Sequence, residues 1–317
     1  MLMYVLYILV SIFILCRLTY GWCKNKVCLV GKTVLITGGN SGLGYQAALT
    51  LASRGCRLII ADKVDATETR EKIIKETKNP NVVVKYLDLG SFESVRKFAK
   101  EIIETEPRLH VLINNAGIGT TELKYTEDGL QKTMQVNYFG HFLLTHLLID
   151  LLKKSGPSRI IFTSSCGAYW TRMEIEDLNP SKDIRHVFQT YNNSKLCQAI
   201  AAKGFAEKLA GTDVTAYSLH PGVVRSTLFW KALHEEKTVW SVMLILLTVI
   251  YGKSTEEGAQ TMIHLATDER VTEDKGKLFL DCRKFFYPFQ MYDDKFCKDV
   301  WEKSIQLCKM TSKESEI

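Results

Sequence analysis

Tyr191 and Lys195 stand four residues apart in the run Tyr191-Asn192-Asn193-Ser194-Lys195, so on a helix the phenol and the ammonium share one face. A cation beside a phenol favours the phenolate and lowers its pKa from about 10 towards neutrality, which lets the hydroxyl give and take a proton. The pair by itself is common. It gains meaning from Ser165, which follows the β-branched run 159–164 and would stand where an open α/β sheet places its ligand crevice. A serine there would hydrogen-bond an oxygen that gains negative charge. A helix tyrosine near a solvated lysine, and a serine that only caps a helix, are the plainer readings of the same residues.

A second constellation is rich in glycine. Gly38-Gly39-Asn40-Ser41-Gly42-Leu43-Gly44 follows a strand-like run at 32–37 and leads into a helical stretch with Ala47, Ala48 and Leu51. Glycines let the chain turn tightly and approach a pyrophosphate, while the following helix start offers free N–H groups and a positive dipole end. Asp62 closes the second strand, where its carboxylate would accept hydrogen bonds from an adenosine ribose and repel a 2′-phosphate. Lys63, next to it, pulls the other way. Asp88, at the end of the third strand, would face an adenine edge or cap the helix that begins near Ser91.

The elements that must position these residues follow from hydrophobic rhythm. Short β-branched runs at 33–37, 57–61, 82–87, 111–114, 159–164 and 213–220 alternate with longer amphipathic stretches. Within 91–104, Val95, Phe98, Ala99 and Ile102 recur at helical spacing. Strands buried on both faces and joined by helices specify an α/β fold, a doubly wound parallel sheet of Rossmann type. No repeat or Pro/Ser-rich linker divides residues 30–290, so one dinucleotide-binding domain is expected there, with a C-terminal helix and tail at 291–317. The polar stretch 311–317 reads as a frayed end.

Composition narrows the function. Hydrophobic residues make up 46% of the 317 and charged ones 24%, which excludes a disordered chain. A formal charge of +6, with basic and acidic residues interspersed, provides no track for nucleic acid. The nine cysteines include no C-x-x-C pair and no Cys/His spacing of a zinc site, so free thiols, no metal and a reducing, cytosol-facing compartment are expected. His141 and His146 lie in an apolar helical stretch and read as core or interface histidines, and Cys166 as a small buried thiol. The glycosylation sequon Asn192-Asn193-Ser194 falls inside the Tyr–Lys motif and is discounted.

Residues 1–16 carry no charged side chain, and continued to Trp22 the stretch would reach about 33 Å as a helix, enough for the ~30 Å hydrocarbon core. No positive charge precedes the run and no small-x-small site follows it, whereas Lys24, Lys26 and Lys32 do follow. An uncleaved membrane anchor helix over residues 1–22 fits this better than a signal peptide, with the rest of the chain in the cytosol. The anchor is expected to tether the protein and to take no part in its chemistry.

In order along the chain, Thr37-Gly38-x-x-x-Gly42-x-Gly44, Asp88, Asn114-Asn115-Ala116-Gly117, Asn137, Ser165, Tyr191-x-x-x-Lys195 and Pro221-Gly222 resemble the short-chain dehydrogenase/reductases over roughly residues 30–285. The resemblance implies a catalytic tetrad of Asn137, Ser165, Tyr191 and Lys195, with Asn137 holding a proton-relay water and Lys195 also reaching the nicotinamide ribose. It implies a nicotinamide cofactor held by Gly38, Asn40, Ser41, Gly42, Leu43, Gly44, Asp62, Lys63, Asp88, Leu89, Asn115, Ala116 and Gly117. Tyr191, Lys195, Pro221, Gly222, Val224 and Ser226 would complete that site.

Leu87-Asp88-Leu89-x-Ser91-x-x-Ser94-Val95-Arg96-x-Phe98, the stretch 136–145, His220-Pro221-Gly222 and Gly276-Lys277-Leu278-Phe279-x-Asp281-Cys282 are most similar to the membrane-anchored retinol dehydrogenase group. That similarity implies hydride transfer between a nicotinamide and a lipophilic alcohol or carbonyl compound such as retinol or retinal, on the endoplasmic reticulum membrane, with a homodimer compatible. It also implies a substrate-covering lid at about 226–255. The uncharged run 239–251 would span only about 20 Å, but Trp240 and Tyr251 bracket it and Lys231, Lys237 and Lys253 flank it, a pattern suited to the membrane interface. Asp62-Lys63 replaces the group's apolar residue and Arg, so NAD is the expected cofactor through Asp62, with NADP left open by Lys63. Ser226 replaces a Thr, keeping the hydroxyl, and Tyr169-Trp170 stands where smaller residues are usual. Two other readings stay open: a carbonyl reductase or dehydrogenase for a steroid, isoprenoid or fatty aldehyde, and a non-catalytic dinucleotide-binding membrane protein. The last has no physical need for Tyr191 and Lys195 on one helix face.

Overall fold

The computed structural model describes residues 17–119, 123–180, 189–225 and 248–317, together with Tyr4, Tyr7, Ser11 and Ile14. Ser226, residues 226–247 of the expected lid and most of the expected anchor lie outside the described residues. Among the described residues no helix is long and apolar enough to cross a membrane.

Eight strands form one sheet in the order β3-β2-β1-β4-β5-β6-β7-β8. They are β1 Thr33–Thr37, β2 Arg57–Asp62, β3 Val82–Tyr86, β4 Val111–Asn114, β5 Ser158–Thr163, β6 Val214–Leu219, β7 Leu278–Leu280 and β8 Arg283–Phe285. All pairings are parallel except β7 with β8. The first six strands fall on the expected runs to within one residue at either end. The β7–β8 hairpin lacks a β-branched run and was not expected. Its turn residues Asp281 and Cys282 both take positive φ, +52° and +57°, the conformation that a two-residue hairpin turn demands.

Strand side chains alternate between two cores. Leu35, Ile59, Leu112, Ile160 and Phe162 face one cluster, whereas Val34, Ile36, Leu58, Ile60, Ile113 and Ile161 face the other. The first cluster is covered by α3 Phe92–Thr105, α4 Gly140–Leu147, α5 Ile149–Ser155, α6 Gln189–Lys208 and α8 Asp294–Leu307. The second is covered by α1 Gly42–Ser53, α2 Thr67–Thr77 and α7 Thr255–Thr267. Order reverses between β1 and β4, so the carboxyl ends of those strands open the crevice in which such sheets hold their ligands.

The expected C-terminal helix is α8, and it packs into the first core. Trp301 of α8 packs on α6 where a Cβ on Gly204 would stand 2.5 Å from the indole. The end at 311–317 is not frayed: Thr311 and Glu314 form a reciprocal cap, and Arg96 holds Glu314 at 2.9 Å. Local polarity suggested fraying, and a partner from α3 overrode it.

His146 is a core histidine, with Phe142, Phe205 and Trp301 rings at 4.6, 5.0 and 5.4 Å. Burial pushes its pKa down to about 3. The folded pKa lies below the unfolded value near 6.5, so the unfolded chain takes up the extra proton and stability falls as pH drops through that window. His146→Phe should remove this share of the acid sensitivity. Relative to the wild type, the variant should gain about 2 kcal/mol between about pH 7 and about pH 5 in urea unfolding; parallel losses in both proteins would refute the assignment.

Candidate active site

The glycine turn sits between β1 and α1. Ser41, the residue before α1, is extended and its side chain makes no cap hydrogen bond, and no acid lies in the first helical turn. The helix start is thus left to a ligand rather than to the chain, which fits a pyrophosphate. Gly44 is required by closeness: its Cβ would stand 2.1 Å from the Gly38 carbonyl oxygen and 2.6 Å from Asn115 Nδ2. Gly42 is required by its φ of +58°. Leu43 lies against Gly258 of α7, and Asn40 binds Thr69 and the Asp65 carbonyl.

Asp62 ends β2 with Oδ1 accepting from Val64 N at 3.1 Å and Oδ2 from Asn40 N at 3.4 Å. Lys63 reaches Asp88 Oδ2 at 2.6 Å, and this hydrogen bond raises the lysine pKa. Asp88 Oδ1 accepts from Gly90 N at 2.8 Å, and the cap of α3 is Ser91, so Asp88 is not the helix cap. Leu89 is buried, and a Cβ on Gly140 would stand 2.6 Å from its carbonyl oxygen.

Thr37, the last residue of β1, joins this turn to β4. Its Oγ1 accepts from the backbone N–H groups of Asn115 at 2.9 Å and Ala116 at 3.0 Å. Asn115 Nδ2 donates to the Thr37 carbonyl at 2.9 Å. Thr37 Oγ1 also lies 2.8 Å from His141 Nε2, and His141 Nδ1 lies 2.9 Å from the Asn137 carbonyl. A carbonyl only accepts, so the proton is on Nδ1, and the bare Nε2 accepts from the threonine hydroxyl. Burial keeps this ring neutral, with its pKa down to about 3.

Asn137 lies in a π-helical turn, Gln135–Phe139, of the kind that recurs at functional sites. Its side chain grips Ile118, Oδ1 accepting at 2.7 Å and Nδ2 donating at 2.9 Å, and also donates to Ser194 Oγ at 3.0 Å. Gly117 brings the cluster together: a Cβ there would stand 3.3 Å from Asn137 Oδ1 and 3.4 Å from Lys195 Nζ. Ser165 follows β5, with its Oγ accepting from Gly167 N at 3.2 Å and hydrogen-bonded to Tyr191.

Lys195 is buried on α6 and donates to the Thr163 carbonyl at 2.8 Å and Gln198 Oε1 at 2.9 Å. Burial lowers its pKa to about 7. Its ammonium stands 5.6 Å from the centre of the Tyr191 ring. The expected lowering of the Tyr191 pKa is not found. Desolvation dominates and pushes the phenol up to about 12, with the Ser165 hydrogen bond opposing. The lysine is on the expected helix face, but its protons are aimed at Thr163 and Gln198.

After β6, Pro221-Gly222 turns with φ +89° at the glycine, and Gly222 N donates to His220 Nδ1 at 3.2 Å. Val224 is buried and pairs with Lys253. His141 is the core histidine expected, and its place four residues after Asn137 accounts for its second contact. Lys253, expected beside the membrane interface, is instead buried and holds the Pro221 turn with Asp281, a role that periodicity does not reveal. Among the described residues no His, Cys, Asp or Glu group could hold a metal.

Residues 32–237 match the short chain dehydrogenase family. Retinol dehydrogenase 12 of Homo sapiens is 38% identical over 292 residues, covering 90% of this chain and 89% of that protein. Retinol dehydrogenase 13 of Homo sapiens is 38% identical over 291 residues, covering 91% and 88%. Among solved structures, an uncharacterized protein from Mycobacterium paratuberculosis superposes with a TM-score of 0.72 at 27% identity, covering 92% of this chain and 98% of that one. The Pseudomonas aeruginosa RhlG/NADP active-site complex does so at 0.63 and 23%, covering 80% and 95%, a likeness of fold alone.

The burial of Lys195 has a measurable consequence. Its folded pKa of about 7 lies below the ordinary 10.5, so between those values the unfolded chain holds the extra proton and stability rises with pH. Lys195→Met should lose that rise. From about pH 7 to about pH 10 its unfolding free energy should fall behind the wild type by about 4 kcal/mol, whatever the offset at neutral pH. Identical pH slopes in urea unfolding would contradict a buried, titrating lysine.

Proposed function

The chain belongs to the short-chain dehydrogenase family, and on that premise we propose a nicotinamide-dependent oxidoreductase of the retinol dehydrogenase type, acting on a lipophilic alcohol/carbonyl pair such as retinol and retinal. The observation that carries the reading is the meeting of Asn137 and Lys195 beside Gly117, with the Tyr191 ring centre 5.6 Å from the Lys195 ammonium and its hydroxyl bonded to Ser165 after β5. When bound, the dinucleotide supplies or takes the hydride. Tyr191 moves the proton at the substrate oxygen, and Ser165 hydrogen-bonds that oxygen as charge develops on it. Lys195 places positive charge behind the tyrosine, and Asn137 holds the 115–118 wall in place. Desolvation pushes the Tyr191 pKa up to about 12, so the phenol is protonated at neutral pH and is ready to donate to a carbonyl oxygen.

Ser41 to Gly44 at the start of α1 would hold the pyrophosphate, and Asp62 the adenosine ribose. Lys63 pairs with Asp88 at the surface, which supports a preference for NAD over NADP set by the Asp62 carboxylate. Residues 1–22 would anchor the chain to a membrane. Leu18 and Trp22 are exposed after the uncharged run, and Val249 and Ile250 are exposed at the end of the 239–251 run, which supports a membrane surface on that side.

A panel of lipophilic alcohols and aldehydes with either cofactor, followed at the nicotinamide absorbance, tests the activity; no turnover of any member would overturn it. Tyr191→Phe should retain dinucleotide binding while kcat falls by about 10²–10⁴, and turnover equal to the wild type would remove Tyr191 from the mechanism. Asp62→Ala should shift kcat/KM from NAD towards NADP, whereas a wild-type preference for NADP would show that Asp62 is misassigned.

A further inference from the structure

Lys253 is a second buried cation, set against the Pro221-Gly222 turn. Its ammonium donates to the Pro221 carbonyl at 3.1 Å and to Asp281 Oδ1 at 2.5 Å. Its stem fills the place of a Gly222 side chain, Cε and Nζ each 2.9 Å from a would-be Cβ. The backbone adds to this hold, with Lys253 N donating to the Val223 carbonyl at 2.8 Å and Arg225 N to the Lys253 carbonyl at 3.0 Å. Asp281 pairs with the lysine from the left-handed region, φ +52°, which side chains rarely occupy.

The outer face of this ion pair is closed by the chain that leads out of the N-terminal hydrophobic run. Gly21 N donates to Asp281 Oδ1 at 2.9 Å, and a Cβ on Gly21 would stand 2.0 Å from the Asp281 carbonyl carbon, so only glycine fits. The Tyr20 ring lies 5.1 Å from the Lys253 ammonium, and its hydroxyl donates to the Tyr251 carbonyl. Arg17 pairs with Glu257 at 2.8 Å, and Cys23 N donates to Gln260 Oε1 at 3.2 Å, both on α7.

We propose that residues 17–23 are a working part of the cofactor site: by closing over the Lys253–Asp281 pair they fix the Pro221-Gly222 turn against which the nicotinamide lies. Gly21, Tyr20, Lys253 and Asp281 are positioning residues. Contrary to the expectation of a bare tether, the segment next to the membrane run and the reaction centre form one mechanical unit. The proposal rests on the dinucleotide reading for its functional consequence, though not for the clamp itself.

Full-length wild type, Gly21→Val, Tyr20→Ala and Asp281→Asn are compared in detergent micelles. Dinucleotide binding is measured by calorimetry without substrate, and amide hydrogen exchange is followed at residues 220–225. For Gly21→Val and Asp281→Asn the dissociation constant and KM for the dinucleotide should rise about tenfold to a hundredfold, with exchange at 220–225 faster. Adding Lys253→Met to Gly21→Val should cost less than the sum of the two single losses, because both act on Asp281, and strict additivity would overturn the coupling. Unchanged binding and exchange in Gly21→Val would overturn the proposal, and if that variant does not fold, Tyr20→Ala decides by the same readouts. A wild type that binds neither NAD nor NADP would overturn the functional reading and this consequence of it, and the exchange data would then decide the clamp alone.

Discussion

One hydroxyl, that of Thr37, ties three elements into a site. Its two lone pairs accept the Asn115 and Ala116 amides, and its single proton goes to His141, whose other nitrogen donates to the Asn137 carbonyl. The glycine turn, the end of β4 and the π-helical turn therefore share one hydrogen-bond chain. Protonating His141 would give both ring nitrogens a donor role and leave the threonine oxygen with more donors than it can accept. Burial prevents this by keeping the imidazole neutral, so the chain has one arrangement at neutral pH and holds the wall at 115–118 at fixed distance from Asn137.

Two buried cations, Lys195 and Lys253, are stabilised differently. Lys195 has carbonyl and amide oxygens as partners and no carboxylate among them, so desolvation governs it and its pKa falls to about 7. Lys253 faces a carboxylate, Asp281, so its charge is compensated and its work is to hold backbone. The first cation is suited to tuning chemistry, the second to holding a turn. Burying either without its oxygen partners would cost several kcal/mol, which explains why both are gripped by backbone carbonyls and side-chain oxygens together.

The fold was legible because it depends on local periodicity. Strands such as Thr33–Thr37 and Val111–Asn114 are continuous apolar runs because both faces are buried, and Ser91–Val95–Phe98–Ile102 carries both its cap and its stripe in one stretch of chain. The β7–β8 hairpin has three-residue strands and no such run, and its turn relies on Asp281 and Cys282 adopting positive φ, which neither residue type announces.

The same division holds for the site. Residue types and spacing determined which groups are present: Tyr191 and Lys195 share a helix face because four residues make a helical turn, and Gly42 and Gly44 flank a helix start because the motif is contiguous. What those groups do to one another depends on burial and on partners far away in the chain, and only the tertiary structure decided that. It directed the Lys195 protons to Thr163 and Gln198, it raised the Tyr191 pKa by desolvation, and it made His141 a bridge between Thr37 and Asn137. It also laid Gly21 against Asp281, 260 positions apart. Spacing encodes neighbours along a helix or strand, whereas desolvation and long-range hydrogen bonds are properties of the packed chain.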